Sequence, residues 1–388
     1  MTKENHFTFS TAPTLHFGTG RLADIVTLAG SHLGKRCLII TDAGLVATGI
    51  VDQAQSALCE GGLQCGIYDQ VEADPSETTV LAAVDFAKAL NVDCIVGLGG
   101  GSPLDVAKLV SYLIGTGENI KDIYGVGLAT GRRTPLVLIP TTSGTGSEVT
   151  PIAIVTTASH EKMGVVSPVL LPDVAILDPG LTRGLPAHTT AATGIDAMVH
   201  AIESYASASA NNNPISRTLA LRALRLLGRS LLRAVECGED MEARSDLLLG
   251  SMLAGQAFAN SPVAAVHALA YPIGGHFKIP HGLSNALVLP HVLRFNCNKA
   301  PGPYAELAPE AFPELSDVPF EKRADAFCDA LTELSVKCGL PQTLRAVGIR
   351  KADLPMMAAD AMKQTRLLVN NPRKVTQDDA LAIYEAAL

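Results

Sequence analysis

The sequence predicts a two-part fold, an α/β domain built on a parallel sheet with flanking helices, followed by an all-helical domain. Three features predict it. Short β-rich runs alternate with helical stretches through the first half, two small-residue loops directly follow β-runs, and beyond Asp178-Pro179 the strand signal gives way to long apolar helical segments. A length of 388 residues also exceeds the size at which single cores stop growing, so two domains are expected, 1–185 and 186–388, with the boundary near Leu185-Pro186.

Along the chain, 7–11 alternates like an edge strand that could pair with its copy in a homo-oligomer, a dimer or a larger assembly. The run 14–17 is too short and mixed to read as a central strand. Residues 36–41, 63–68, 93–98 and 136–140 read as strands, with helices at 76–90 and 103–114. Strand followed by helix, repeated, implies parallel strands covered on both faces. A more β-rich block follows at 152–157, 163–167 and 174–177, and then helical stretches separated by Asn211-Asn212-Asn213-Pro214 and by the proline-spaced segment 309–319.

Composition narrows the function. A net charge of −8 without a dense Lys/Arg cluster excludes a nucleic-acid footprint or an anionic membrane surface as partner, and favours small-molecule chemistry. Met1-Thr2-Lys3-Glu4-Asn5-His6 lacks the basic-then-apolar pattern of a signal peptide, and no apolar run approaches a membrane span, so a cytoplasmic protein is expected. Eight cysteines, Cys37, Cys59, Cys65, Cys94, Cys237, Cys297, Cys328 and Cys338, are scattered without a C-x-x-C pair, which argues for reduced thiols, most of them filling the core.

Gly97-Leu98-Gly99-Gly100-Gly101-Ser102-Pro103 joins the strand at 93–98 to a helix. Without Cβ atoms, its glycines let backbone amides approach a pyrophosphate, and the following helix adds unpaired N–H groups and a positive dipole end. Ser102 reads as the N-cap, Pro103 as the first helical residue and Asp105 as the third. Pro140-Thr141-Thr142-Ser143-Gly144-Thr145-Gly146-Ser147-Glu148 also follows a strand and offers hydroxyls in dense array. A glycine-rich turn alone is weak evidence, since a plain structural turn has the same composition; two such loops at the ends of parallel strands point to nucleotide binding. Gly18-x-Gly20-x-x-Ala23, with Asp42 some way on, fits the dinucleotide fingerprint on paper, but a weak run precedes it and the stronger glycine loop comes after Asp42, so the usual Rossmann order is not expected. Asp42 ends the run 36–41, where it could accept hydrogen bonds from a ribose, and its charge would repel a 2′-phosphate, favouring NAD over NADP.

The C-terminal half carries a different chemistry. Asp196 and His200 stand four apart in the apolar stretch 191–206, so on a helix they project from one face. Such a pair also occurs as a plain helix-surface contact, but here an unpartnered carboxylate would sit among Ile195, Ala197, Met198, Val199 and Ile202, at a large desolvation cost that a cation would relieve. His267 lies in 262–270, which opens with Ser261 as N-cap and Pro262 at the first helical position, and His281 follows in the turn Pro280-His281-Gly282. Three imidazoles and one carboxylate suit zinc or ferrous iron and are a poor cage for calcium or magnesium.

Taken together these segments resemble the iron-containing (group III) alcohol dehydrogenase family over nearly the whole chain. The resemblance is carried by Phe17-Gly18-Thr19-Gly20, Gly99-Gly100-Gly101-Ser102-Pro103, Pro140-Thr141-Thr142-Ser143-Gly144-Thr145, Ala192-Thr193-Gly194-Ile195-Asp196-Ala197-Met198-Val199-His200-Ala201-Ile202-Glu203, Val266-His267-Ala268-Leu269-Ala270 and Pro280-His281-Gly282, in that order. It implies the dehydroquinate synthase-like architecture of that family, with a dinucleotide-binding α/β domain, a helical metal-binding domain and an active site in the cleft between them. It also implies Asp196, His200, His267 and His281 as ligands of Fe2+, which Zn2+ could replace, and cofactor contacts from Asp42, Gly99, Gly100, Gly101, Ser102, Thr141, Thr142 and Thr145. Asp74 beside the adenosine and Lys162 beside the nicotinamide ribose complete the implied NAD site. Where some members of the family have a further histidine four positions after the third ligand, this chain has Tyr271. Beside His267 and His281, the catalytic group implied is therefore Tyr271 or His276 as proton relay.

The function implied is an NAD(P)-dependent alcohol dehydrogenase or aldehyde reductase that moves a hydride between a small alcohol and NAD, the alkoxide being held on the divalent metal. Walls from 149–152, 258–263, Tyr271 and Phe277 are mostly apolar and suggest a short or medium alcohol. Three readings compete with this one. A glycerol-dehydrogenase-like polyol oxidoreductase would use zinc, a dehydroquinate-synthase-like lyase would need basic residues these motifs lack, and a redox-inactive protein would merely bind NAD or metal.

Overall fold

The computed structural model describes residues 6–157 and 161–388; the targeting signal sought in Met1 to Asn5 lies outside them. The chain forms two compact units, Ser10–Gly184, and Leu185–Leu388 together with the short stretch ending at Phe9.

In the first unit the strands are β1 (Thr14–Phe17), β2 (Arg36–Ile40), β3 (Gln64–Tyr68), β4 (Cys94–Gly99), β5 (Gly125–Val126), β6 (Leu136–Pro140), β7 (Ile152–Thr156), β8 (Lys162–Val166) and β9 (Val174–Leu177), and the longer helices are α1 (Ile50–Glu60), α2 (Glu77–Ala89) and α3 (Gly101–Thr116). Six strands make one all-parallel sheet in the order β1-β9-β6-β4-β2-β3, and β5-β8-β7 make a second, in which β7 and β8 are antiparallel. Because side chains alternate across a strand, the apolar runs serve both faces at once. Leu38, Ile40, Ile95, Leu136 and Leu138 pack with Val80 and Ala83 of α2 and Leu104 and Ala107 of α3. Cys37, Ile39, Val96, Val137, Ile139 and Ile176 pack on the other side with Val51, Ala54 and Leu58 of α1. All eight cysteines are free.

One local expectation holds and one changes. The run 14–17, too short and mixed for a central strand, is β1 at the sheet edge, paired with β9, a half-buried place where mixed composition is tolerated. Helix α3 begins at Gly101 with Gly100 as its N-cap, so Ser102 lies inside the first turn instead of capping it. Asp105 is correspondingly released from capping, and accepts from Ser147 Oγ at 2.6 Å and the Ile154 amide at 2.9 Å.

The second unit contains α4 (Ala187–Ala206), α5 (Pro214–Glu236), α6 (Met241–Asn260), α7 (Ala265–Phe277), α8 (His281–Cys297), α9 (Pro301–Ala311), α10 (Phe320–Lys337), α11 (Leu354–Ala361) and α12 (Gln377–Ala387). Helix α4 is buried along most of its length and packs against α5, α6 and α8. None of the described helices is long and apolar enough to cross a membrane.

Helix α7 opens at Ala265, not at Pro262: Ser261 ends α6, and its hydroxyl donates to Ser204 O at 2.7 Å. The segment 7–11 belongs to neither sheet among the described residues; the Asn211 amide takes Thr8 N–H and C=O, each at 2.9 Å, with one donor and one acceptor.

Candidate metal centre and nucleotide loops

One helical turn separates Asp196 from His200 on α4, His267 comes from α7, and His281 is the first residue of α8. One ligand atom from each lies within 4.8 Å of the others. Asp196, His200 and His267 are buried and His281 is half-buried, so the cluster has one accessible side chain. His200 and His267 bring their Nε2 atoms to 3.0 Å, and His281 Nε2 lies 3.8 Å from Asp196 Oδ1. Phe258 stacks on the His200 ring at 4.3 Å between centroids, an apolar wall that fixes the imidazole.

Backbone contact holds these helices together. A Cβ on Gly282 would lie 2.4 Å from Ala192 O and 3.3 Å from Asp196 Cβ, so the start of α8 rests directly on α4 and only glycine fits there.

Burial alone would push the Asp196 carboxyl up. The imidazoles, His200 first and then His281 and His267, together with the Asn285 amide, overcome that and hold it below its ordinary value. The donor set fits a borderline divalent ion, with three nitrogens and one carboxylate oxygen around one point. A buried amide oxygen, Asn285 Oδ1, has no hydrogen-bond partner there, as befits a polar pocket with something still to accommodate.

Two residues of this cluster escaped the sequence reading as functional groups. Glu203 lies on α4 one turn beyond His200 and accepts from His267 Nδ1 at 2.7 Å. Asn285, one turn into α8 from His281, donates to Asp196 Oδ1 at 2.6 Å, and its Nδ2 is 3.3 Å from His267 Nε2 and 3.4 Å from His281 Nε2. The available signal was spacing: Glu203 is seven residues from Asp196 and Asn285 four from His281, so each shares a helix face with a ligand.

The two relay alternatives separate. Tyr271 is half-buried with its ring 6.2 Å from that of His281. His276 is exposed and its Nε2 lies 2.6 Å from Asp360 Oδ2 in a surface hydrogen bond.

In the first unit the glycine and threonine loops meet. Thr141 N donates to Gly99 O at 2.9 Å. A Cβ on Gly101 would lie 2.8 Å from Thr145 Cγ2, and one on Gly100 3.5 Å from Thr142 Cγ2. Gly99 has φ +149, which side-chain-bearing residues rarely adopt, and Asp42 Oδ2 lies beside it. Asp42 also caps the short helix Ala43–Val46 by accepting from Leu45 N at 2.9 Å. The glycines, Ser102, Thr141, Thr142, Thr145 and Asp42 thus surround the C-terminal ends of β2, β4 and β6, where parallel sheets place their ligands.

Asp74 and Lys162 meet each other. Lys162 Nζ bonds Asp74 Oδ1 at 2.6 Å, so the two residues implied for the adenosine and nicotinamide ends stand side by side as an ion pair. Beneath the threonine loop, the fully buried Lys108 donates to Ser147 Oγ at 2.7 Å, Thr150 Oγ1 at 3.2 Å and Ile152 O at 2.7 Å. Glu148 is buried beside it with Oε1 unpartnered, and burial pushes its carboxyl up to about 7 against the pull of Lys108.

Comparison with known proteins agrees along the chain. A family model described as iron-containing alcohol dehydrogenase matches residues 12–179, and one described as the C-terminal part of the Fe-containing alcohol dehydrogenase family matches 190–388. The long-chain-alcohol dehydrogenase 1 of Geobacillus thermodenitrificans is 42% identical over 384 residues, covering 97% of this chain and 95% of that protein. An NAD-dependent methanol dehydrogenase of Bacillus methanolicus is 34% identical, covering 98% and 99%. The crystal structure of a 1,3-propanediol oxidoreductase superposes with a TM-score of 0.95 at 35% identity, covering 99% of this chain and all of that one.

Proposed function

The chain belongs to the iron-containing alcohol dehydrogenase family, and from that premise we propose how its own residues divide the work and which substrates it takes. It is a metal-dependent alcohol dehydrogenase and aldehyde reductase that moves a hydride between an alcohol and NAD. We assign the nucleotide to the domain 1–185 and the metal to the domain 186–388. The observation that carries the assignment is the convergence of Asp196, His200, His267 and His281 within 4.8 Å.

A divalent ion held by those four would supply Lewis acidity to the substrate oxygen, easing loss of a hydroxyl proton in oxidation and polarising a carbonyl in reduction. The protein's own residues do the rest. Asp196 contributes the single formal negative charge among the donors, and Asn285 holds its Oδ1. Asp42 takes the ribose hydroxyls of NAD, and the amides of Gly99, Gly100 and Gly101 with the hydroxyls of Ser102, Thr141, Thr142 and Thr145 take its phosphates. Tyr271, beside His281, is assigned to pass the hydroxyl proton toward water.

The substrate proposed is an uncharged short- or medium-chain primary alcohol or its aldehyde. Phe258, Tyr271, Glu203 and Asn285, which contact the four donors, bring no positive charge for an anionic substrate. The zinc polyol and redox-inactive alternatives are not favoured, since the matched relatives carry alcohol dehydrogenase or aldehyde reductase names. An initial-rate panel of alcohols, diols, glycerol and carboxylated or sulfonated aldehydes, run with NAD(H) and NADP(H) on protein loaded separately with Fe2+ and Zn2+, tests this. Neutral primary alcohols should lead with NAD; a preference for a charged aldehyde or for glycerol would overturn the substrate assignment.

A further inference from the structure

Beyond the four donors, the geometry converges on Glu203. It lies on α4, one turn past His200 and two past Asp196, and is only 5% exposed. Its Oε2 accepts from the Ala264 amide at 2.9 Å and from His267 Nδ1 at 2.7 Å, and its Oε1 accepts from the Val266 amide at 2.7 Å. We propose that Glu203 is a positioning residue that fixes His267 in its Nδ1–H form and so presents the Nε2 lone pair to the ion. The proposal rests on reading Asp196, His200, His267 and His281 as one metal site.

The argument is one of donors and acceptors. A carboxylate only accepts, so the short contact to His267 requires the proton on Nδ1. A neutral imidazole has one N–H, which leaves Nε2 as the lone-pair nitrogen, and Nε2 is the atom that faces His200 Nε2 at 3.0 Å. Histidine free in water carries its proton more often on Nε2, so Glu203 reverses the preference that would block the ligating atom. The same carboxylate takes two amides at the start of α7, where the N-cap Ala264 has no side-chain oxygen of its own. One group therefore locates both the ring and the helix that carries it. Ring orientation and ligand basicity then come from α4, the helix that also supplies Asp196 and His200.

A purely structural cap would stabilise α7 without setting a tautomer, and the test separates the two. Histidine-selective 15N labelling and long-range 1H–15N correlation on the metal-stripped wild-type protein should show His267 as the Nδ1–H tautomer. In Glu203→Ala the population should move toward Nε2–H, and the dissociation constants for Fe2+ and Zn2+ should rise about 10–100-fold. Glu203→Gln, which keeps one accepting oxygen, should fall between. An Nε2–H tautomer in the wild type, or a folded Glu203→Ala protein with wild-type metal affinity, would overturn the proposal; if that variant does not fold, the wild-type spectrum decides alone. Wild-type protein that binds neither ion would instead remove the metal-site reading, and the tautomer would still be read.

Discussion

His200 and His267 face each other through Nε2 atoms 3.0 Å apart, although 67 residues separate them in sequence. Asp196, one turn before His200, adds the only carboxylate among the donors. Asp196→Ala should lower bound metal from about one ion per chain to near none and reduce turnover by more than about a hundredfold, because the Lewis acid is lost with it. Metal analysis after gel filtration, beside a steady-state assay, checks both, and full metal content in the variant would contradict the ligand assignment.

Asn285 donates to Asp196 at 2.6 Å in a buried setting. Asn285→Ala leaves that oxygen without its donor, and release of metal to a chelator should speed up by about 10–100-fold, the usual cost of losing a partner behind a ligand. Equal release rates would show that the amide only fills space.

Tyr271→Phe keeps the ring beside His281 and removes the hydroxyl. Turnover should fall by about a hundredfold or more, as for loss of a general acid or base, with metal content unchanged. Combined with His276→Ala, which should leave turnover near normal, this separates the two relay assignments.

Asp42 both caps Ala43–Val46 and stands beside Gly99. Asp42→Ser retains a capping oxygen, avoiding a loss of about 1 kcal/mol, and removes the charge. Its kcat/KM ratio for NADP over NAD should rise by about tenfold or more through relief of repulsion at the 2′-phosphate. An unchanged ratio would mean that Asp42 does not meet the ribose.

Glu148 gives a pH signature. Its carboxyl is raised from 4.5 to about 7 by burial, so the folded protein binds a proton there that the unfolded chain has already released. The associated stability is fully present below pH 4.5 and declines as pH rises to about 7, a loss on the order of 3 kcal/mol. Glu148→Gln removes the ionisation, so its melting temperature relative to wild type should climb between pH 4.5 and 7 and level off above. A constant difference across that range would show that Glu148 does not titrate there.

Much of the fold was legible because it is local. The runs at 136–140 and 174–177 were placed to the residue, since a strand buried on both faces has an unbroken apolar signature, and the four donors stood out because a carboxylate and imidazoles are costly in apolar segments. What was misread depended on distant partners. The start of α7 was misplaced because its cap is Glu203, about sixty residues away, and Ser261 looked like a cap only in the absence of that knowledge. Nor does local pattern connect Asp74 with Lys162, 88 positions apart, although the implied roles of both at the nucleotide are unaffected by their contact. The edge place of β1 beside β9 agrees with a run too short and mixed for a central strand.

The contact of Gly282 with Ala192 O sets a fixed gauge for the cage. Most binding sites adapt to a larger guest by turning a side chain; here the spacing between two of the donor-bearing segments is main chain against main chain. A side chain at 282 would force the start of one helix off the other, so the distance between the segments carrying Asp196 and His281 is set by backbone and would change only with the crossing itself.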